Sequence, residues 1–324
     1  MARKKASEGA VSRVRDVLTT SRGRWLLRIG GGALLLLVVG FVVQATRAQA
    51  WSMPAYRLTP KTLRVEGLPS WLDGYGKALF DPRWFARATG PFSVSIYDPQ
   101  AEAVITERVE RHPLVERASL VTLRYPNEAH VRVQLREPVA TISFAVADGK
   151  TVSYLLGADQ TLLPLDPYRG LLQRRRHPLP QLSGIGLRPP VRRTATGWDI
   201  VIGSPWRDGE DDRVEEAVAA AQTAARLEQD LGGLVTVQAI DVARFTRTGR
   251  LRSDEQHAEV ELTVIGPPQR PGGPRTQRVV LWGRTTRAAH EVVGESGYGR
   301  KVERLRKLLS QPNAPARLEV RWDA

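Results

Sequence analysis

Residues 98–140, DPQAEAVITERVERHPLVERASLVTLRYPNEAHVRVQLREPVA, spell out one helix and two strands in a single run. Asp98-Pro99 predicts a helix start, with the aspartate as capping acceptor and the proline at the first helical position, where an N–H has no intrahelical partner anyway. Ala101, Val104, Ile105 and Val109 recur at helical spacing, while Glu102, Glu107, Arg108 and Arg111 take the other face. Pro113 ends the helix. Ser119 to Tyr125 reads as a strand and Pro126-Asn127-Glu128 as turn chemistry. Ala129, Val131, Val133 and Leu135 then alternate with His130, Arg132, Gln134 and Arg136, the pattern of a half-buried strand.

Upstream, Leu63-Arg64-Val65-Glu66 alternates and stops at Gly67, a further strand. Residues 67–92 hold Trp71, Trp84 and Phe85 in one or two short helices, with Asp81-Pro82 as a turn or helix start. Strand, helical region, helix, strand, strand is the order of a small α+β module spanning about 61–138. Pro54 and Pro60 mark 46–60 as a linker. Before it, Ile29 to Ala45 carries no charge, and with Trp25-Leu26-Leu27 in front it approaches the ~20 residues a bilayer requires. This predicts a transmembrane helix at 29–45, bracketed by Trp25 and Trp51. The 324-residue chain has a formal charge of +14, and its first twenty-eight residues hold eight cations against Glu8 and Asp16, a net +6. That bias predicts a basic cytoplasmic tail at 1–28 and an extracytoplasmic bulk. The competing reading is a cleaved signal peptide, with Ala48-Gln49-Ala50 as the cleavage motif.

Downstream, residues 139–324 read as a β-rich domain with flanking helices. A helix from Asp212 to Leu231 turns Val214, Ala217, Val218, Ala221, Ala225 and Leu231 inward and stops at Gly232-Gly233. Strands follow at 235–242, 258–265 and 279–282. A basic amphipathic helix, Arg300 to Leu309, buries Val302, Leu305, Leu308 and Leu309. Last, Ala316, Leu318, Val320 and Trp322 alternate with Arg317, Glu319, Arg321 and Asp323.

The chemistry these residues exclude is broad. There is no cysteine, hence no disulfide, thiolate metal site or cysteine nucleophile. His112, His130, His177, His257 and His290 show no metal spacing and read as surface or strand-face residues. No G-x-S-x-G elbow occurs. Gly294 to Lys301, GESGYGRK, imitates a phosphate loop, but Arg300 and Lys301 stand where lysine and Ser/Thr belong, so it reads as a turn before a helix. Asp208, Glu210, Asp211 and Asp212 complement the N-terminus of the following helix. Arg174-Arg175-Arg176-His177 reads as a solvated basic loop, with lipid head groups or an anionic wall polymer as its alternatives.

Several of these segments together resemble a family. His112-Pro113-Leu114-Val115, Ala118, Tyr125-Pro126-Asn127 and Arg136-Glu137-Pro138-Val139-Ala140 look like the POTRA domain of the FtsQ/DivIB bacterial division proteins, in which a helix ending in proline-hydrophobic-valine leads to a strand, a Trp-Pro turn, a strand and E-x-P-V-A. Gly90 to Val94 sits where the family has a turn before its second helix. Tyr154-Leu155-Leu156 with Asp159, then Leu179-Pro180-Gln181-Leu182-Ser183-Gly184, resemble the opening of its second domain. The likeness covers about residues 25–184. Gly157 and Gln160 replace the family's Asp and Gly, and Tyr125 its Trp.

The resemblance implies a non-enzymatic, single-pass inner-membrane scaffold of cell division and septum formation, with no cofactor, no nucleic acid and no small-molecule substrate. It implies partners among small bitopic coiled-coil division proteins, bound through the C-terminal strand region, Arg317, Leu318, Glu319, Val320, Arg321 and Trp322. The means would be β-strand addition at a sheet edge. The alternative for that segment is that Leu318, Val320 and Trp322 simply fill the core. The alternatives for the whole chain are a POTRA-bearing envelope-assembly or secretion component, and a membrane-anchored cell-wall hydrolase, for which no nucleophile or paired carboxylates can be assembled.

Overall fold

The computed structural model describes residues 21–72, 74–145, 151–186, 188–194, 197–206, 212–245, 258–268, 274–285, 295–311 and 313–322. Helix α1, Ser21–Ser52, contains the apolar stretch Ile29–Gln49, whose 21 residues are long and apolar enough to cross a membrane. Among the described residues nothing covers that stretch, which sets it apart from the core helix of a soluble domain. The helix continues through 46–52, so the first half of the expected linker is helical. Pro54 then opens a 3-10 turn, Pro54–Tyr56. The first twenty residues of the basic tail lie outside the described residues.

Beyond α1, β1 (Arg57–Leu58) pairs with β3 (Val94–Ser95), and β2 (Leu63–Glu66) leads to α2 (Gly74–Ala78) and α3 (Pro82–Thr89). Asp81 caps α3, its Oδ1 accepting from the Arg83 N–H at 3.1 Å, so Asp81-Pro82 is a helix start. Helix α4 spans Ala101–Glu110, two residues later than Asp98-Pro99 suggests. Asp98 spends its carboxylate on the Gln100 N–H at 2.9 Å, closing a turn instead of capping a helix. Strands β4 (Val115–Arg124) and β5 (Glu128–Leu135) form the hairpin, joined through a cis Tyr125–Pro126 bond. β2 adds parallel to β5, giving the order β2-β5-β4. Ile105 and Val109 of α4 pack with Phe85, Val115 and Val131 in the first core.

His112 corrects the expectation of surface histidines: only 2% of it is exposed. Its ring packs against both Phe80 and Phe85, with centroids 4.7 and 5.5 Å away. Nδ1 accepts from the Leu114 N–H at 3.3 Å, and burial pushes the imidazole down to about 4.

The second part is built on one sheet. Its strands are β6 (Pro138–Ala145), β7 (Thr151–Gly157), β8 (Leu162–Leu163) and β9 (Gln181–Ser183), with α5 (Arg169–Arg174) between β8 and β9. After a separate hairpin, β10 (Val191–Thr194) and β11 (Gly197–Ile200), come α6 (Arg213–Asp230), β12 (Thr236–Asp241), β13 (Glu261–Pro268), β14 (Arg275–Leu281), α7 (Tyr298–Leu309) and β15 (Arg317–Glu319). The eight-stranded order is β15-β14-β13-β12-β9-β6-β7-β8. α6 ends as its glycines require: Gly232 and Gly233 have positive φ, and their N–H groups return to the Gln229 and Glu228 carbonyls at 2.9 and 3.0 Å. On α6, Ala225 is exposed and Ala224 and Leu227 are buried in its place, because the inward arc continues from Ala217 and Ala220 by turns of three and four.

Adjacent leucines on β7 and β8 face opposite ways. Leu156 and Leu162 join the core under α6 and α7, while Leu155 and Leu163 complete the first core together with Tyr168 and Leu179. The first core therefore draws residues from beyond 138. Polar bonds reinforce the joint: the Tyr168 hydroxyl donates to the Arg136 carbonyl at 2.8 Å, and Arg136 ion-pairs with Asp159. Segment 67–92 reaches the same joint. Trp71 stacks on Tyr168 at 5.4 Å, and Arg174 of the expected basic loop ends α5 and donates to Ser70 Oγ at 3.1 Å.

Candidate functional site at the C-terminal sheet edge

β15 is the outermost strand of the large sheet, and among the described residues β14 is its one strand neighbour. The pairing is parallel, Val279 opposite Arg317, Val280 opposite Leu318 and Leu281 opposite Glu319. The Val279 N–H donates to the Ala316 carbonyl at 2.8 Å, and the Val320 N–H to the Leu281 carbonyl at 3.4 Å. In such a ladder the backbones of Ala316, Leu318 and Val320 serve β14, and those of Arg317 and Glu319 turn the other way. Leu318 and Val320 are wholly buried, Arg317 is exposed and Glu319 half-buried. Core filling and edge position thus coexist in one strand.

The alternation expected to run from Ala316 to Trp322 holds only in its middle. Ala316 is exposed, the strand ends at Glu319, Arg321 is 5% exposed and Trp322 is half-buried. After Val320 the chain leaves the sheet: the Ser296 N–H donates to the Arg321 carbonyl at 2.7 Å, and Trp322 pairs with Glu295. Arg321 folds back on the strand, with Nη2 2.6 Å from Glu319 Oε2 and Nε 3.0 Å from Oε1. Arg304 of α7 donates to the Trp322 carbonyl. Arg321 and Trp322 form a hook fastened to the start of α7.

Behind the hook lies a buried network of charges that alternating patterns do not reveal. Glu259, at the entry to β13, and Arg284, past β14, form a two-pronged ion pair with Arg284 Nη2 3.0 Å from Glu259 Oε1. Lys301 of α7 pairs with Glu295 and also donates to the Arg284 carbonyl at 3.0 Å. Glu295 Oε1 accepts the Arg284 N–H at 2.9 Å. Glu216 of α6 takes the Thr285 N–H and hydroxyl at 2.9 and 3.1 Å. Burial pushes the Glu216 and Glu295 carboxyls up and the Lys301 ammonium down, against the bonds and charges that favour the ionised forms. Gly283 permits the approach: with φ +80°, it would carry a Cβ only 2.2 Å from Glu295 Oε1. A signal for Lys301 did exist, since it precedes Leu305 and Leu309 at intervals of four on the inward arc of α7.

The remaining candidates stay apart from this edge. Ser296 and Gly297 lead into α7, with Gly297 at its N-cap, and Gly294 lies outside the described residues. Asp212 holds the N-cap position of α6 without a side-chain capping bond to it, and Asp208, Glu210, Asp211, His257 and His290 lie outside the described residues. His130 pairs with Glu66 at 2.6 Å across the first sheet, and His177 meets Thr236 at 3.0 Å. Among the described residues no group of three His, Cys, Asp or Glu side chains is placed to hold a metal ion. Compared with known families and with curated proteins, the sequence matches no family model and no curated relative.

Proposed function

We propose that the chain is a non-enzymatic scaffold of the FtsQ/DivIB type, anchored in the inner membrane by α1 with its N-terminus in the cytoplasm. In this reading it recruits small single-pass coiled-coil division proteins through β15. The observation that carries it is the position of β15: a short strand at the end of a large sheet, with backbone turned outward at Arg317 and Glu319. Supporting it is the first sheet, where a parallel strand, helices and a hairpin follow the order the resemblance implies for a POTRA domain. Glu259, Arg284, Glu295, Lys301 and Glu216 behind the edge each meet a group of opposite sign or a donor, which suits a rigid support rather than a reacting group.

A photoreactive side chain at Ala316 or Arg317, both exposed, tests this in the full-length chain in native membranes. The expected product is a crosslink to a small single-pass coiled-coil protein. Crosslinks to secretion or envelope-assembly components would transfer the protein to that class, and no protein adduct at either position would remove β15 as the docking edge. Arg321, outward by alternation, is buried and unsuitable as a probe position.

A further inference from the structure

Three tyrosines from separate segments meet where α1 hands over to the folded part. Tyr56 closes the turn after α1, Tyr97 follows β3, and Tyr125 stands at the tip of the β4–β5 hairpin. The Tyr56 ring lies 5.4 Å from Tyr97 and 5.6 Å from Tyr125, and the Tyr125 hydroxyl donates to that of Tyr56 at 3.2 Å. The cluster is no core: Tyr97 is 42% and Tyr125 68% exposed, as is 40% of Met53, three residues before Tyr56. Arg57 and Arg124, each next to one of the tyrosines in sequence, are exposed as well.

Chain length keeps this cluster close to the end of the membrane-spanning stretch. From Gln49, the end of the apolar stretch, to Tyr56 is seven residues, partly helical, a reach of at most ~20 Å. The head-group layer begins where the apolar stretch ends and is about 5–8 Å deep on each side. Tyrosine, with an apolar ring and a polar tip, and arginine, with an apolar stem and a cationic head, suit that layer. As a mere structural corner the cluster would be expected to bury its rings, and it leaves Tyr125 largely and Tyr97 substantially exposed.

We propose that Tyr56, Tyr97 and Tyr125, with Arg57 and Arg124, form a lipid head-group contact that lays the hairpin tip of the first sheet on the bilayer beside the span. The proposal rests on α1 crossing the membrane, and the test separates the two. Because the chain has no cysteine, spin labels can be attached singly at Val38→Cys, Tyr97→Cys, Tyr125→Cys and Leu234→Cys in the full-length protein. The two tyrosine replacements each leave the other two rings in place, and circular dichroism confirms the fold of each variant. In vesicles of phosphatidylethanolamine and phosphatidylglycerol, the ratio of oxygen to aqueous nickel accessibility reports depth. The expected order is Val38 deepest, Tyr97 and Tyr125 at head-group depth with a ratio at least threefold above Leu234, and Leu234 in water. Labels at 97 and 125 that match Leu234, with Val38 deep in lipid, overturn the contact and leave the anchor standing. An aqueous Val38 overturns both.

Discussion

Replacing Arg284 with methionine is expected to lower the unfolding free energy of the full-length protein by about 3–5 kcal/mol, the cost of leaving a buried partner charge uncompensated. Arg284 is 1% and Glu259 5% exposed, so water does not reach the abandoned carboxylate. The guanidinium also lies 5.7 Å over the Phe245 ring, a contact that methionine keeps only as dispersion. Urea unfolding in detergent micelles measures the loss. The companion change Glu259→Gln in the same chain should return a large part of it, because the defect lies in the orphaned charge more than in the missing bond. A double variant as unstable as the single one would place the damage in packing instead.

The second large effect is a pH dependence from His112. Its folded value, depressed by burial to about 4, lies below the ordinary 6.5, so the unfolded chain binds this proton first. Stability from this group is full above about pH 6.5 and declines as the pH falls towards about 4, a total of about 3 kcal/mol. Glu216 and Glu295 push the opposite way, since their folded values are raised and acidification favours the native state through them. The His112 contribution is therefore read as a difference. Between pH 7 and pH 4 the wild type should lose about 3 kcal/mol relative to His112→Phe, whose ring stacks on Phe80 and Phe85 without a titrating group. A difference that stays flat across this range would mean that His112 is protonated in the fold.

Local chemistry was legible wherever a short-range rule governs it. The Gly232-Gly233 stop of α6, the alternation of β5 and the uncharged run of α1 each follow from a few neighbouring residues. Harder to read were residues whose environment is assembled from afar. Leu155-Leu156 and Leu162-Leu163 are adjacent apolar pairs, and only the sheet shows that each pair divides between two cores. His112 looks like any helix-terminal histidine until Phe80 and Phe85, some thirty residues earlier, close around it. Arg321 followed the outward phase of an alternating strand, but the strand ends at Glu319 and the hook turns Arg321 inward. The role of 67–92 was hidden for the same reason, since its partners Tyr168 and Arg174 lie about a hundred residues on. At the candidate site, the inward phase of Leu318 and Val320 was legible and the edge position of their strand was not. That position depends on a parallel pairing of 317–319 with 279–281 across the length of α7.

The central claim, that a partner strand is recruited through the backbone of β15, is tested most directly by comparing Arg317→Pro with Arg317→Ala. Both remove the side chain that reaches Glu261 at 3.3 Å, and only proline removes the outward N–H. Affinity capture from native membranes, with circular dichroism confirming the fold of each variant, is predicted to recover the small single-pass partner with the alanine variant at near wild-type yield and at least tenfold less with the proline variant. Equal recovery by the two variants, or equal loss, would contradict strand addition at β15.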